Sequence, residues 1–340
     1  MLKIPEVIQV FFFNLAIMNK LKVVFMGTPE FAVASLKAIV DEGFEVAGVV
    51  TVPDKPAGRG LQLKQSPVKE YALAQGLTVL QPEKLKDPLF IEQLTSLKCD
   101  VQVVVAFRML PEIVWNMPPK GTFNLHASLL PQYRGAAPIN HAIINGEKET
   151  GVTTFFLDKE IDTGKIIFAE KVIINEKEDA GSLHDRLMET GSGLVIRTLK
   201  AIENDEIVPV EQNTVVSDIS ALKKAPKIFK EDCEIDWNNP SQQIFNLIRG
   251  LSPYPASFTA IHGPEGKSFQ LKIFNASLVK NENSGNAGEI RTDGKKYLLV
   301  ASGDGFLSLE TVQLEGKKKM GIEEFLRGFH LNDNWKTLKK

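Results

Sequence analysis

Three short runs in the first third of the chain are apolar at almost every position: Leu21–Met26 (LKVVFM), Val46–Thr51 (VAGVVT) and Val101–Ala106 (VQVVVA). A strand with one face in water alternates apolar and polar residues, whereas a strand covered on both faces does not. Such runs therefore need packing material on two sides, and the segments between them supply it. Ala32, Leu36, Ile39 and Val40 recur at helical spacing, with Thr28 as the expected N-cap, Pro29 as the first helical residue and Gly43 as the stop. A helix near Val68–Ala74, a short strand at Val79-Leu80 and a helix through Phe90, Ile91 and Leu94 continue the alternation. The pattern predicts an α/β fold whose first half is a doubly wound, mostly parallel, Rossmann-like sheet.

The second half changes character. Lys165–Ile174 reads as a strand and Ala180–Ile202 as a helix, followed by polar, proline-containing sequence from Asn204 to Pro226. Short β-rich runs then appear at Phe269–Phe274, Gly288–Arg291, Tyr297–Ala301 and Phe306–Val312, with a helix at Ser241–Arg249. Asp293-Gly294 and Asp304-Gly305 between apolar runs are hairpin signals. A smaller C-terminal β-barrel, OB-like, with a helix or two is expected. At 340 residues the chain suits two domains. The divisions expected are an N-terminal extension over 1–20, a first domain over 21–206, a linker over 207–225 and a second domain over 226–340. The extension contains an apolar run, Val7–Ile17, too short to span a bilayer and without a small-residue cleavage site. Met18 reads as the natural start.

A net charge of −2 excludes a uniformly basic nucleic-acid binder. From Ile207 onward, however, 18 Lys and Arg face 16 Asp and Glu, with clusters at Lys317-Lys318-Lys319 and Lys339-Lys340. The two cysteines, Cys99 and Cys233, form no paired motif, so neither a disulfide framework nor a zinc site is expected and a reducing cytoplasm fits.

Chemistry concentrates in Phe123–Pro131 (FNLHASLLP), continuing as Gln132–Pro138 (QYRGAAP). Asn124 and His126 lie two residues apart, so in a strand their side chains leave the same face. A Pro- and Gly-punctuated loop follows at once, and open α/β sheets place their sites at such C-terminal strand ends. Asp162, in Ile161-Asp162-Thr163-Gly164, adds a carboxylate 36 residues later. Amide, imidazole and carboxylate are what acyl transfer needs: an oxyanion donor, a proton handler and a group that steadies the imidazolium. Asp162 reads equally well as the cap of an acidic turn. The other histidines, His141, His184, His262 and His330, have no comparable setting. Gly27-Thr28-Pro29 stands where a dinucleotide fingerprint would, but its second and third glycines are absent, leaving a tight strand-to-helix turn. Lys55, Arg59 and Lys64 flank a loop that suits either phosphate binding or plain solvent exposure.

With those residues in view, the chain from about Leu21 onward resembles the folate-dependent formyltransferases, and within them the methionyl-tRNA formyltransferase family. The resemblance rests on VVFMGTPEFA (Val23–Ala32), PDKPAGRG (Pro53–Gly60) with SPVK (Ser66–Lys69), FNLHASLLPQYRGAAPI (Phe123–Ile139), ETGVTTFFLDKEIDTGKII (Glu149–Ile167) and RGLSPYPASF (Arg249–Phe258). It implies formyl transfer from 10-formyltetrahydrofolate to the α-amine of methionyl initiator tRNA, in translation initiation, by a cytoplasmic monomer with no metal and no membrane partner. It implies a catalytic trio at Asn124, His126 and Asp162, and a folate-contact segment at Ser128, Leu129, Leu130 and Pro131. It further implies tRNA contacts around Arg59, with Lys55 and Lys64 beside it, a catalytic role for 21–206 and tRNA binding by 226–340. The family commonly has Tyr-Gly where this chain has Phe107-Arg108, on a loop similar to one wall of the pterin pocket. Rival readings are a formyltransferase for a small amine, an inactive RNA-binding protein on the same scaffold, and a dehydrogenase.

Overall fold

The computed structural model describes residues 21–57, 62–216, 218–263, 266–279, 285–331 and 335–338. The expected N-terminal extension with Met18, Arg59 of the basic loop, and Lys339-Lys340 lie outside the described residues. In chain order the strands begin β1 (Lys22–Gly27), β2 (Glu45–Val50), β3 (Lys55–Ala57), β4 (Gln62–Lys64), β5 (Val79–Leu80) and β6 (Val101–Val105). They continue β7 (Thr122–His126), β8 (Arg134–Gly135), β9 (Glu149–Phe156), β10 (Ile166–Ile173), β11 (Lys224–Ala225), β12 (Ser257–His262) and β13 (Ser268–Val279). The last are β14 (Ile290–Thr292), β15 (Leu298–Ala301), β16 (Phe306–Leu314), β17 (Met320–Gly321) and β18 (Lys336–Leu338). Two compact units emerge. One is Met1–His126, Val152–Glu170 and Met188–Ser217; the other is Ala127–Gly151, Lys171–Leu187 and Asp218–Lys340.

The first unit is built on a seven-stranded sheet ordered β10-β9-β7-β6-β1-β2-β5. β1 pairs in parallel with β2 and β6, β2 with β5, and β6 with β7, while β9 runs antiparallel to β7. The sheet is mostly parallel, as its apolar strands predict. Val23, Val24, Phe25 and Met26 of β1 are all fully buried, the mark of a strand covered on both faces. Helices Glu30–Asp41, Pro67–Ala74 and Pro88–Ser96 turn Leu36 and Ile39, Val68 and Ala72, and Phe90 and Leu94 inward. Two of them start on side-chain caps: Ser66 accepts from the Lys69 amide at 3.1 Å, and Asp87 from the Leu89 amide at 3.0 Å, each followed by proline.

The start of the first helix needs a correction. Pro29, not Thr28, occupies the N-cap, no side chain caps it, and the Pro29 carbonyl accepts from the Ala32 amide at 3.0 Å. Glu30 in the first turn puts negative charge at the positive end of the helix dipole, where a capping side chain would otherwise act. Within the polar loop read over Pro53–Gly60, the described residues Lys55–Ala57 form a strand that the composition does not predict. β3 and β4 form an antiparallel hairpin whose three-residue legs are too short to show a period. Its base is pinned by Asp54, whose carboxylate accepts from Lys69 Nζ at 2.6 Å and from Gln81 Nε2 at 2.8 Å. The bond from Lys69, then that from Gln81, holds the Asp54 carboxyl below the usual carboxylate range.

The second unit carries an antiparallel sheet ordered β14-β15-β16-β13-β12-β18, with β17 on β16. β12 alternates buried and half-buried residues along its length, as a strand with one core-facing side should. Trp237, Ile244, Ile248, Leu271, Leu309, Phe325 and Trp335 belong to its core. The two ends of the strand order meet: Glu289 bridges Lys336, and the Thr337 amide donates to the Gly288 carbonyl at 2.9 Å. The sheet thus curls into a nearly closed barrel. Both Asp-Gly hairpins form, joining β14 to β15 and β15 to β16. At the first, Asp293 Oδ1 accepts from the Lys295 and Lys296 amides at 2.9 and 2.7 Å. Among the described residues no helix is long and apolar enough to cross a membrane.

Candidate functional site

β7 is the strand that matters most. In the first unit β1 is followed outward by β2 and β5 on one side and by β6 and β7 on the other, so the topological switch lies between β1 and β6. Open α/β sheets bind ligands at the C-terminal ends of strands near that point. Gly27 of β1 pairs with Val105 of β6, and Val105 with Leu125 of β7, so His126 stands one residue farther toward the C-terminal edge. Behind the strand, Gly191 leaves room for Leu125: a Cβ there would stand 2.8 Å from the leucine Cδ2. Asn124 and His126, two apart on this strand, flank Leu125, with Asn124 partly exposed.

His126 is only 6% exposed. Its ring meets Phe155 edge-on, with centroids 6.5 Å apart. Its Nδ1 faces Asp162 Oδ2 at 3.8 Å, an ion-pair separation rather than a tight hydrogen bond. The two residues singled out from separate motifs are therefore neighbours. Asp162 itself has a left-handed backbone, φ +56°. Its loop, after β9, is closed at the base by the Phe156 amide donating to the Lys165 carbonyl at 3.0 Å. Gly164 lies so close to β9 that a Cβ would stand 1.7 Å from the Phe156 carbonyl oxygen, so no other residue fits there without the loop moving.

Gln212 also belongs to this neighbourhood, and no motif or spacing in the sequence points to it. It is 2% exposed, and its Nε2 donates to the carbonyls of Asp162 (2.9 Å) and Gly164 (2.8 Å). Just before it, Val210 and Ile166 exchange both main-chain hydrogen bonds at 2.8 Å. A polar residue in a proline-containing stretch gives no periodic signal, and its partners are 48 and 50 positions away.

The expected folate-contact segment belongs to the second unit. Ser128, Leu130 and Pro131 are buried and Leu129 is partly exposed. Ser128 Oγ donates to the Gln132 carbonyl at 2.6 Å, closing the turn, and the Leu130-Pro131 peptide is cis. The following residues are tied down by Lys223–Ala225. The Tyr133 amide donates to the Lys223 carbonyl at 2.7 Å, and β8 pairs with β11. Tyr133 Oη and Lys223 Nζ both reach Glu147 Oε1 at 2.5 Å. Burial and the Glu147 bond push the Tyr133 phenol well above its ordinary range.

Of the basic residues, Lys55 and Lys64 are direct partners across the β3–β4 hairpin, and both are exposed. Like charges directly opposite each other in a hairpin repel and are relieved by an anion between them. Arg59 lies outside the described residues. In the loop after β6, Arg108 donates to the carbonyls of Glu83 at 2.9 Å and of Pro82, and lies over the Phe107 ring at 5.5 Å. Among the described residues no group of three His, Cys, Asp or Glu side chains is arranged to hold a metal ion.

Comparison with known proteins bears on these arrangements. The family profile described as formyl transferase matches residues 20–199, and that of the formyl transferase C-terminal domain matches 227–330. A methionyl-tRNA formyltransferase of Bacteroides thetaiotaomicron is 54% identical over 316 residues, covering 93% of this chain and 98% of that protein. Its counterpart in Phocaeicola vulgatus is 56% identical over 318 residues, with 93% and 98% covered. Among solved structures, the sugar 3N-formyl transferase WlaRD, determined with dTDP and 5-N-formyl-THF, superposes with a TM-score of 0.61 at 21% identity, covering 88% of this chain and all of that one. HypX from Aquifex aeolicus in complex with tetrahydrofolic acid gives a TM-score of 0.61 at 17% identity, covering 94% and 51%. These two likenesses concern the fold.

Proposed function

The chain belongs to the formyl transferase family, and on that premise we propose that it moves the formyl group of 10-formyltetrahydrofolate to the α-amine of methionyl initiator tRNA, giving N-formylmethionyl-tRNA for translation initiation. The observation that carries the chemistry is His126 Nδ1 facing Asp162 Oδ2 at 3.8 Å beside Asn124, at the C-terminal end of β7.

The roles follow from the side chains. The substrate amine attacks the formyl carbon, placing negative charge on the formyl oxygen and positive charge on the nitrogen. Asn124 donates its amide to that oxygen, and one such donor is worth about 2.7–4 kcal/mol of barrier. His126 presents Nδ1 to Asp162, so Nε2 is the ring atom that takes the proton from the amine nitrogen and gives it to the departing folate nitrogen. Proton handling of this kind contributes about 10²–10⁴-fold. Asp162 steadies the imidazolium while it carries the proton. The new C–N bond forms as the bond from the formyl carbon to the folate nitrogen breaks, with no net proton change at the imidazole. Ser128, Leu129, Leu130 and Pro131 are assigned to folate contact. With Ser128 and Leu130 turned inward, Leu129 and the main chain supply the surface for it.

The choice of tRNA over a small amine is supported by relatives that are more than half identical along nearly their whole length and bear the tRNA enzyme's name. It is supported again by Lys55 and Lys64, paired across a hairpin in the manner of a phosphate clamp, with Arg59 assigned to the same loop from sequence. We assign catalysis to residues 21–206 and tRNA binding to 226–340, joined through 207–225, and read the protein as a cytoplasmic monomer needing no metal. Incubation with 10-formyltetrahydrofolate and methionyl initiator tRNA tests the reading: N-formylmethionine should appear on the tRNA. Formylation of free small amines in its place would favour the small-amine enzyme, and no formyl transfer at all would favour the inactive scaffold.

A further inference from the structure

The Asp162 loop is held partly by its own residues and partly from outside. Apart from its base, Thr163 Oγ1 donates to the Glu160 carbonyl at 3.1 Å, and Asp158 accepts from the Lys159 amide. Ile161, next to the carboxylate, is exposed. A left-handed backbone costs a non-glycine residue free energy, less for aspartate than for most, and contacts from its surroundings offset that cost at Asp162. One group that holds it from outside the loop is Gln212. Its Nε2 has two hydrogens and spends one on the carbonyl of Asp162 and the other on that of Gly164, so the peptide units around the carboxylate are held from one buried point. The glutamine is itself set in place by the two Val210–Ile166 main-chain bonds.

We infer that Gln212 is a positioning residue for formyl transfer: its buried amide fixes the loop backbone at Asp162 and thereby holds the carboxylate opposite His126. The inference rests on the proposed reading in which Asp162 serves His126. It also gives the segment expected to be a mere connector a part in the chemistry, because residues 210–212 supply both the anchor and the amide.

The test is a double-mutant cycle on the full chain with Gln212→Met, which keeps the side chain's bulk and removes both donors, and Asp162→Ala. A residue that acts through Asp162 has nothing left to act through once that carboxylate is gone. Gln212→Met should lower kcat about tenfold or more while leaving KM for both substrates within about twofold, since misplacement of order 1 Å at a reacting centre costs up to about 10²-fold. In the Asp162→Ala background the same substitution should change kcat by less than about twofold. Wild-type kcat in Gln212→Met, or an equal loss in both backgrounds, overturns the inference. Should Gln212→Met fail to fold, Gln212→Asn takes its place; its shorter amide should give a partial kcat loss that vanishes in the Asp162→Ala background, and a loss that persists there overturns the inference. Wild-type turnover in Asp162→Ala alone would instead sink the underlying reading.

Discussion

Replacing Gly164 by alanine probes the candidate site through one methyl group. The added Cβ would stand 1.7 Å from the Phe156 carbonyl oxygen and 2.9 Å from its carbonyl carbon, whereas real Cβ contacts essentially never fall below 3.0 Å. Both neighbours are backbone, so no side chain can swing aside. Phe156 is held within the sheet by its pairing with Phe123, and the loop is the part that gives, by about 1.3 Å. Asp162 is two residues away and moves with it. Taking the imidazolium–carboxylate separation from 3.8 Å to about 5 Å weakens the attraction by roughly 1 kcal/mol at an effective dielectric constant near 20. Misplacement of order 1 Å can cost as much as about 10²-fold in rate. Gly164→Ala should therefore lose between about 10- and 100-fold in kcat for formyl transfer. Gly193→Ala is the control, because a Cβ there meets nothing within 4 Å. It sits in the helix Ala180–Glu203 and should keep wild-type kcat while gaining roughly 0.5–1 kcal/mol of stability. Wild-type kcat in Gly164→Ala would refute the idea that the loop's closeness to β9 sets the carboxylate.

Asn124→Ala should lower kcat by about 10²–10³-fold, the usual loss for one oxyanion donor, with folate KM little changed in steady-state assays. His126→Ala should lose about 10²–10⁴-fold in kcat, and near-normal turnover would remove the proton-handling role. Lys55→Ala with Lys64→Ala should lower kcat/KM for tRNA in a salt-dependent manner while leaving folate KM alone; an unchanged tRNA dependence would reduce the hairpin to surface. The Asp54 carboxyl has a lowered pKa in the fold, so its stabilising contribution is complete above its unfolded value of about 3.9 and fades as pH falls through the folded value. The difference in Tm between wild type and Asp54→Asn should accordingly be largest near neutral pH and shrink below about pH 4; a constant difference would rule out the ionised clamp.

How much was legible depends on how far apart the interacting residues lie in the chain. Val23–Met26 and Val101–Val105 announce buried parallel strands because burial on both faces leaves its mark on every residue. The spacing of Asn124 and His126 survives intact because a strand has a fixed period of two. Asp162 was visible as a candidate, but its approach to His126 depends on the turn after β9, which no local spacing encodes. Thr28 was misplaced as a cap because Thr-Pro resembles a helix start one residue earlier than the observed one. β3 and β4 give no strand signal because three residues are too few to show a period, and Pro56 interrupts the first of them. Gln212 was illegible for the strongest reason: both its partners are main-chain carbonyls, and a main-chain acceptor leaves no signature in the residues that provide it.

The placement of β7 between β6 and β9 has a consequence for how the two halves of the catalytic pair respond to thermal motion. A strand hydrogen-bonded on both sides opens only with the larger cooperative unit around it, so the amides of Phe123–Leu125 belong among the slowest to exchange with solvent. The Asp162 loop lies between β9 and β10, outside the sheet's ladder, where segments open locally at lower cost. The imidazole is thus anchored to the stiffest part of the sheet, and the carboxylate to a segment whose equilibrium small sequence changes can tune. Variation in turnover among proteins of this architecture has an inexpensive place to arise: the fastening of the loop, with the strand left as it is.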